Sequence, residues 1–337
     1  MTDEATGRLL GRFVDAVRPV LPLVSVWAHG SLAGGDYQPG RSDLDLIAIV
    51  SRPCTAAEER QLGEVHETLG SASALAPGLH CSYCAAAELD DPERLHLTWA
   101  HEEFMRQRVT PVTRRELHDF GLVLYGEAPA ALLPPVTGGQ LAGFVVQDLE
   151  SFWLPSLDHP ERWDRDIWVD LGLLTLARAT VTLRDGKLIT KAQALCVLTE
   201  LGAPAEVVDD IRQRRYGEPG PASQRWIARR AELTLTFLRP AIRQLAAQRP
   251  PSTGAGCPPD RDRAAVAGAV VAGPFDALGV VAGSFDDPRA GPVPAPGAEV
   301  LRAGDAGHDR GEDPFGVLRG ARPPGQRPGG GRCGRSA

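Results

Sequence analysis

Asp43 and Asp45 stand two apart in Ser42-Asp43-Leu44-Asp45-Leu46, at the entrance to the apolar run Ile47-Ala48-Ile49-Val50. Residues i and i+2 of a strand project from one face, so both carboxylates point the same way while Leu44 and Leu46 turn into a core. Adjacent carboxylates repel unless a cation lies between them, and hard oxygen ligands suit Mg²⁺ taken together with substrate phosphates. Twelve residues before Ser42, the apolar run Val24, Val26, Trp27, Ala28 ends at His29 and turns through Gly30-Ser31. A strand feeding a small-residue turn that opens a helix is a phosphate-facing arrangement. Either fragment alone is a common turn or a solvated strand end. Together they describe a place where a nucleoside triphosphate meets metal.

A second pair of candidates lies far downstream. Arg178 follows the apolar stretch Leu171 to Ala177, where a charge is costly unless paired, and Lys191 opens the next helix after Asp185-Gly186. A turn at Asp185-Gly186 folds the two helices back and brings the cations together. A polyanion such as a triphosphate between them is one reading. The other is that Arg178 pairs with a carboxylate such as Asp148 or Asp170, leaving Lys191 solvated.

The elements that must position these groups fall into three regions. Residues 1–135 read as an α+β half: an amphipathic helix over 3–18, strands to His29 and over Leu44 to Val50, and a helix capped by Thr55 with Glu58 three residues on. A third strand over Leu79 to Cys84 follows, with His80 and Ser82 on one face. Residues 91–112 suggest a broken helix or a strand and a loop, Thr113 an N-cap, and Val123-Leu124-Tyr125 a last edge strand. Residues 136–248 carry apolar residues at three- and four-residue intervals in five segments with Gly/Pro joints, the pattern of a helical bundle. Residues 249–337 hold about half of the 37 glycines with no sustained period. Such a segment is expected to be a disordered tail, Val266 to Val271 being at most a transient element.

A chain of 337 residues can bury two modest cores, and a net charge of −7 argues against a general nucleic-acid binder while suiting a cationic small substrate. Six scattered cysteines form no disulfide framework. The Cys81-x-x-Cys84 pair has no partner pair at zinc spacing and reads as buried thiols. No run is long enough to span a membrane, and no signal-peptide pattern opens the chain, so a monomer in a reducing cytoplasm is expected.

Gly30-Ser31, Gly34-Gly35 and Ser42-Asp43-Leu44-Asp45-Leu46 resemble the signature of the polymerase-β-like nucleotidyltransferase superfamily. Leu173-Leu-Thr-Leu-Ala-Arg178 with Asp185-Gly-Lys-Leu-Ile-Thr-Lys191 is similar to the helical domain of spectinomycin/streptomycin adenylyltransferases, so the likeness spans about residues 20 to 245. It implies Mg²⁺ on Asp43 and Asp45, ATP as co-substrate, and a triphosphate held by Gly30, Ser31, Ser42, Arg178 and Lys191, with Tyr216 near the base. The reaction it implies is transfer of AMP to an aminoglycoside hydroxyl, the chemistry of antibiotic resistance. Trp99 and Asp164 are the expected acceptor contacts. Three positions depart from the pattern. His80 stands where the family has a glutamate base, and Trp168 and His159 stand where an aspartate and a tryptophan are expected. An imidazole can still accept a hydroxyl proton at neutral pH, although it cannot bind a cationic drug as a carboxylate does. Transfer to another small molecule or a protein, and an inactive nucleotide-binding regulator, stay open beside the leading reading.

Overall fold

The structure, a computed structural model, describes residues 3–247. The expectations for 249–337, Cys257 and Cys333 among them, lie outside the described residues. The first half runs α1 (Glu4–Val17), β1 (Leu23–Ala28), α2 (Gly30–Ala33), β2 (Leu44–Val50), α3 (Ala56–Ala72), β3 (Leu79–Ala85), β4 (Leu95–Ala100), β5 (Glu103–Arg108), α4 (Pro111–Phe120), β6 (Leu122–Tyr125) and the short α5 (Pro129–Leu132). The second half is helical: α6 (Gly138–Asp148), a π-helical turn over Leu149–Trp153, α7 (Leu154–Ser156), α8 (Asp166–Asp185), α9 (Lys191–Glu200), α10 (Ala205–Tyr216) and α11 (Gln224–Ala246). No helix among the described residues is long and apolar enough to cross a membrane.

The six strands form one mixed sheet in the order β5-β4-β3-β2-β1-β6, with β2 and β3 parallel and the other pairs antiparallel. The parallel pair needs a crossover, which α3 supplies. Helix α3 starts at Thr55, where the threonine side chain and Glu58 cap each other reciprocally as the spacing predicts. All seven residues of β2 are buried because both faces are covered. Leu44, Leu46, Ala48 and Val50 pack with Phe13 of α1 and Leu62 of α3, whereas Ile47 and Ile49 pack with Trp27, Cys84 and Leu117 on the opposite face.

Two local expectations are corrected. Residues 95–108 form the β4–β5 hairpin rather than a broken helix or a strand and a loop. Its turn residues, His101 and Glu102, carry the positive φ values of 54° and 62° that tight hairpins require, without the glycine or asparagine that signals such turns. Helix α4 begins three residues before the expected start: Thr110 is its N-cap, accepting from the Thr113 amide, and Pro111 supplies a preset first-turn φ.

In the helical half, α8 forms the axis of a separate apolar cluster with residues of α6, α9, α10 and α11, including Leu173, Leu195, Ile211 and Leu238. Gly186 ends α8 in the left-handed region (φ 67°), and Thr190 opens α9 with a capping box to Gln193. The chain between them is therefore held at both ends, which fixes Lys191 relative to Arg178.

Candidate active site

Gly30, Ser31, Asp43, Asp45, Arg178 and Lys191, drawn from three distant segments, line one cleft of about 280 Å³, with Phe120, Leu188 and Ile189 as its apolar wall. That volume lies near the lower end of small-ligand pockets, roughly 300–1,000 Å³. Asp45 is in β2, and Asp43 immediately precedes it. The end of β1 is tied alongside by the His29 amide, which donates to the Asp45 carbonyl at 3.0 Å.

The turn after β1 requires glycine for two reasons. Gly30 has φ +62°, and a Cβ added there would lie 2.5 Å from Asp45 Oδ2. The carboxylate is thus packed directly against the turn backbone. Gly30→Ala is expected to cost about 1–2 kcal/mol from the left-handed backbone. By displacing Asp45 it should also slow any reaction at the cleft by about 10²-fold. Urea denaturation and turnover assays read these two effects separately.

Glu116 of α4 joins the two halves. Its Oε2 meets His29 Nδ1 at 3.1 Å and accepts from the Gly30 amide at 3.3 Å, while Oε1 accepts from Arg178 Nη2 at 3.0 Å. Burial works against charge on Glu116, but the His29 hydrogen bond and Arg178 outweigh it, and its pKa falls below the ordinary range. His29 responds in the opposite direction: burial lowers its pKa, yet the Glu116 hydrogen bond and the charge of Asp45 raise it overall. Arg178 pairs with Glu116. Asp170 is taken by Arg214.

Lys191 faces the two aspartates across the cleft. Burial, then the charges of Arg215 and Arg178, lower its pKa to about 8, against the pull of Asp43 and Asp45. Burial raises the pKa of Asp45, opposed by His29 and Lys191. Asp36, absent from the sequence expectations, anchors this side: it accepts from the Ala192 amide at 3.0 Å and from the Tyr216 hydroxyl at 2.9 Å. A lone Asp-Tyr in a loop carries no signal for such a role.

The remaining candidates lie off the cleft wall. Tyr216 is turned toward Asp36. Ser42 accepts from the Gln38 amide at 3.1 Å and from Arg215 at 3.4 Å, so it closes the loop between α2 and β2. Trp99 is buried, stacked on His66 at 4.5 Å between ring centroids and edge-on to Phe104. Asp164 is exposed, with its carbonyl accepting from Arg230 at 3.2 Å. Trp168 packs with Phe152, Trp153 and Trp163. His80 lies behind Asp45 in a second, smaller cavity, and burial lowers its pKa to about 3.

The donor set fits a hard divalent cation shared with substrate. Asp45 Oδ1 is buried without a hydrogen-bond partner, and Asp43 stands beside it on the cleft wall. No group of three or more His, Cys, Asp or Glu side chains among the described residues is arranged to hold a metal alone. Phosphate oxygens and water would complete such a coordination sphere, as is usual for Mg²⁺.

Among the solved structures similar in fold is spectinomycin adenyltransferase AAD(9) from Enterococcus faecialis, crystallised with ATP and spectinomycin. It superposes with a TM-score of 0.56 over 70% of this chain and 99% of its own, at 18% sequence identity. The two chains share one fold. The resemblance to aminoglycoside adenylyltransferases carried by the sequence motifs is thus matched in three dimensions. No family model and no curated protein matches the sequence.

Proposed function

We propose that the protein is a nucleotidyltransferase that moves AMP from ATP to a hydroxyl of a small molecule, in the manner of an aminoglycoside adenylyltransferase. The observation that carries this reading is the convergence of the Gly30-Ser31 turn, two carboxylates and two cations, from both halves of the chain, in one cleft. Asp43 and Asp45 would hold Mg²⁺, which when bound neutralises charge on the phosphates. Arg178 and Lys191 would take the β- and γ-phosphates and stabilise the charge gathering on departing pyrophosphate. Glu116 orients Arg178 and pins the Gly30 turn to the same strut, so the two sides of the phosphate grip are fixed before substrate arrives. The apolar wall of Phe120, Leu188 and Ile189 excludes water from one side. The acceptor hydroxyl oxygen attacks the α-phosphorus as the bond to the β-phosphate breaks, pyrophosphate leaves, and the hydroxyl proton passes to a cleft carboxylate or to water.

The test is pyrophosphate release from ATP and Mg²⁺ with and without streptomycin and spectinomycin. Stimulation by a drug supports aminoglycoside transfer, release that neither drug stimulates points to another acceptor, and binding of ATP without release defeats the catalytic reading. Among the acceptors, the position of His80 favours something other than a typical aminoglycoside, because the buried imidazole offers a cationic drug no charge.

Lys191 makes the phosphate grip pH-dependent. Its ammonium titrates near 8 in the free protein, and a bound polyanion raises that value. Binding that raises a pKa is complete below the free value and is lost as pH climbs toward the bound one. Affinity for tripolyphosphate should therefore be flat below pH 8 and fall by up to about tenfold per unit above it. Calorimetric titration of Lys191→Met should show weaker binding without that slope.

A further inference from the structure

The loop between α2 and β2 holds the start of α9 and the end of α10. Asp36, 7% exposed, sends its carboxylate across to the helical half. Oδ2 accepts from the Ala192 amide at 3.0 Å and Oδ1 from the Tyr216 hydroxyl at 2.9 Å, partners 156 and 180 positions along the chain. The Tyr216 oxygen itself accepts from Arg215 Nε at 3.0 Å, and Arg215 Nη2 stands 3.8 Å from Asp36 Oδ2. The phenolic hydrogen is therefore committed to Asp36. Farther along the loop, Arg41 Nη1 donates to the Arg215 carbonyl at 3.2 Å, where α10 ends. A helix leaves its first amides and last carbonyls without internal partners, and favours an anion at its start and a cation at its end. One short loop supplies both. Its last residue, Ser42, adjoins Asp43, and Ala192 adjoins Lys191, so these contacts join the two sides of the cleft next to the groups that face across it.

We propose that Asp36 and Tyr216 form a positioning pair for the phosphate grip: together they set Lys191 opposite Asp43 and Asp45, and the Tyr216 hydroxyl serves this loop rather than the nucleotide base. The inference rests on the reading of Lys191 as a phosphate ligand and adds the groups that hold it in place. Thr190 caps the Gln193 amide and leaves the Ala192 amide to Asp36, so the first turn of α9 is pinned from both halves of the chain. A carboxylate accepting from an amide and a phenol makes stronger bonds than a neutral acceptor does. A cation already in place where phosphates lie needs no reorganisation on binding, and a small displacement forfeits much of its effect. Glu116 fixes Arg178 and the Gly30 turn in this way, and the Asp36 loop does the same for Lys191.

Calorimetric binding of tripolyphosphate to the full-length protein tests this, because tripolyphosphate has no base for Tyr216 to touch. Asp36→Ala should weaken binding about tenfold and Tyr216→Phe about threefold. In a Lys191→Met background each should weaken it by less than about twofold, because changes that act through one side chain do not add. Equal losses in both backgrounds, or no loss in either, would show that the pair only supports the fold, and would overturn the proposal while the phosphate grip stands. Loss of ATP affinity without loss of tripolyphosphate affinity in Tyr216→Phe returns the hydroxyl to the base and also overturns it. If Lys191→Met binds tripolyphosphate as tightly as the wild type, the phosphate grip itself is refuted, and the pair with it. Tyr216→Phe removes a single hydroxyl and carries the comparison alone if Asp36→Ala fails to fold.

Discussion

Glu116→Ala should destabilise the protein by about 3–5 kcal/mol, the usual cost of breaking a buried ion pair by removing one partner. Glu116 and Arg178 are 2% and 8% exposed at the side chain, so solvent cannot replace the lost carboxylate. The deletion also strands His29 and the Gly30 amide. The double variant Glu116→Leu, Arg178→Met should regain much of the stability, because it removes both charges from an apolar setting, while nucleotide binding stays lost. Urea denaturation of the single and double variants reads the first effect, and equilibrium binding of ATP the second. A single variant within 1 kcal/mol of the wild type would refute the strut. The same contacts set a pH window. Glu116 has a lowered pKa, so its contribution is complete above its ordinary 4.5 and is lost as pH falls through the folded value. His29 has a raised pKa, so its contribution is complete below 6.5 and is lost as pH rises through the folded value. Stability from this pair is therefore greatest between 4.5 and 6.5, and Glu116→Ala should flatten that plateau.

Asp45→Asn should abolish pyrophosphate release, by about 10³-fold or more, and yet raise thermal stability at neutral pH. The first effect follows because the substitution removes the negative charge and replaces one carboxylate oxygen with an NH2 group that cannot ligate a cation. The second follows from the sign of the pKa shift. Burial raises the Asp45 pKa, so the folded protein resists its charged form and loses stability as pH rises past the ordinary carboxylate value. An uncharged isostere removes that cost. Melting temperature should rise by roughly 2–4 °C for each kcal/mol regained. Such opposed changes mark a residue kept for chemistry at the expense of the fold. Turnover within tenfold of the wild type would defeat the proposed function, and a lowered melting temperature would show that Asp45 has a stabilising partner.

The sequence by itself determined most of the architecture. Apolar runs placed β1 and β2, an alternating run placed β3, the Thr55/Glu58 spacing placed the start of α3, and Asp185-Gly186 placed the end of α8. Each signal is local, because a cap or an alternating strand is decided by residues within one turn or one pleat. The i, i+2 spacing also directed Asp43 and Asp45 to the same cleft wall. Only the tertiary structure decided which groups are buried together. Glu116 sits in Thr113-Arg114-Arg115-Glu116, a run that reads as the polar start of a surface helix, and nothing in its neighbours marks it. It is buried because α4 packs between the β1 turn and α8, where Arg178 arrives from 62 positions along the chain. Trp99 shows the reverse. The family likeness made it an expected acceptor contact, but the β4–β5 hairpin buries it among His66 and Phe104. His80 needed both levels: the strand pattern gave its face, and the parallel register with β2 set it beside an orphaned oxygen of Asp45. Local spacing fixes the direction of a side chain, whereas burial and pairing depend on which distant element closes over it, and that is decided only when the two halves pack.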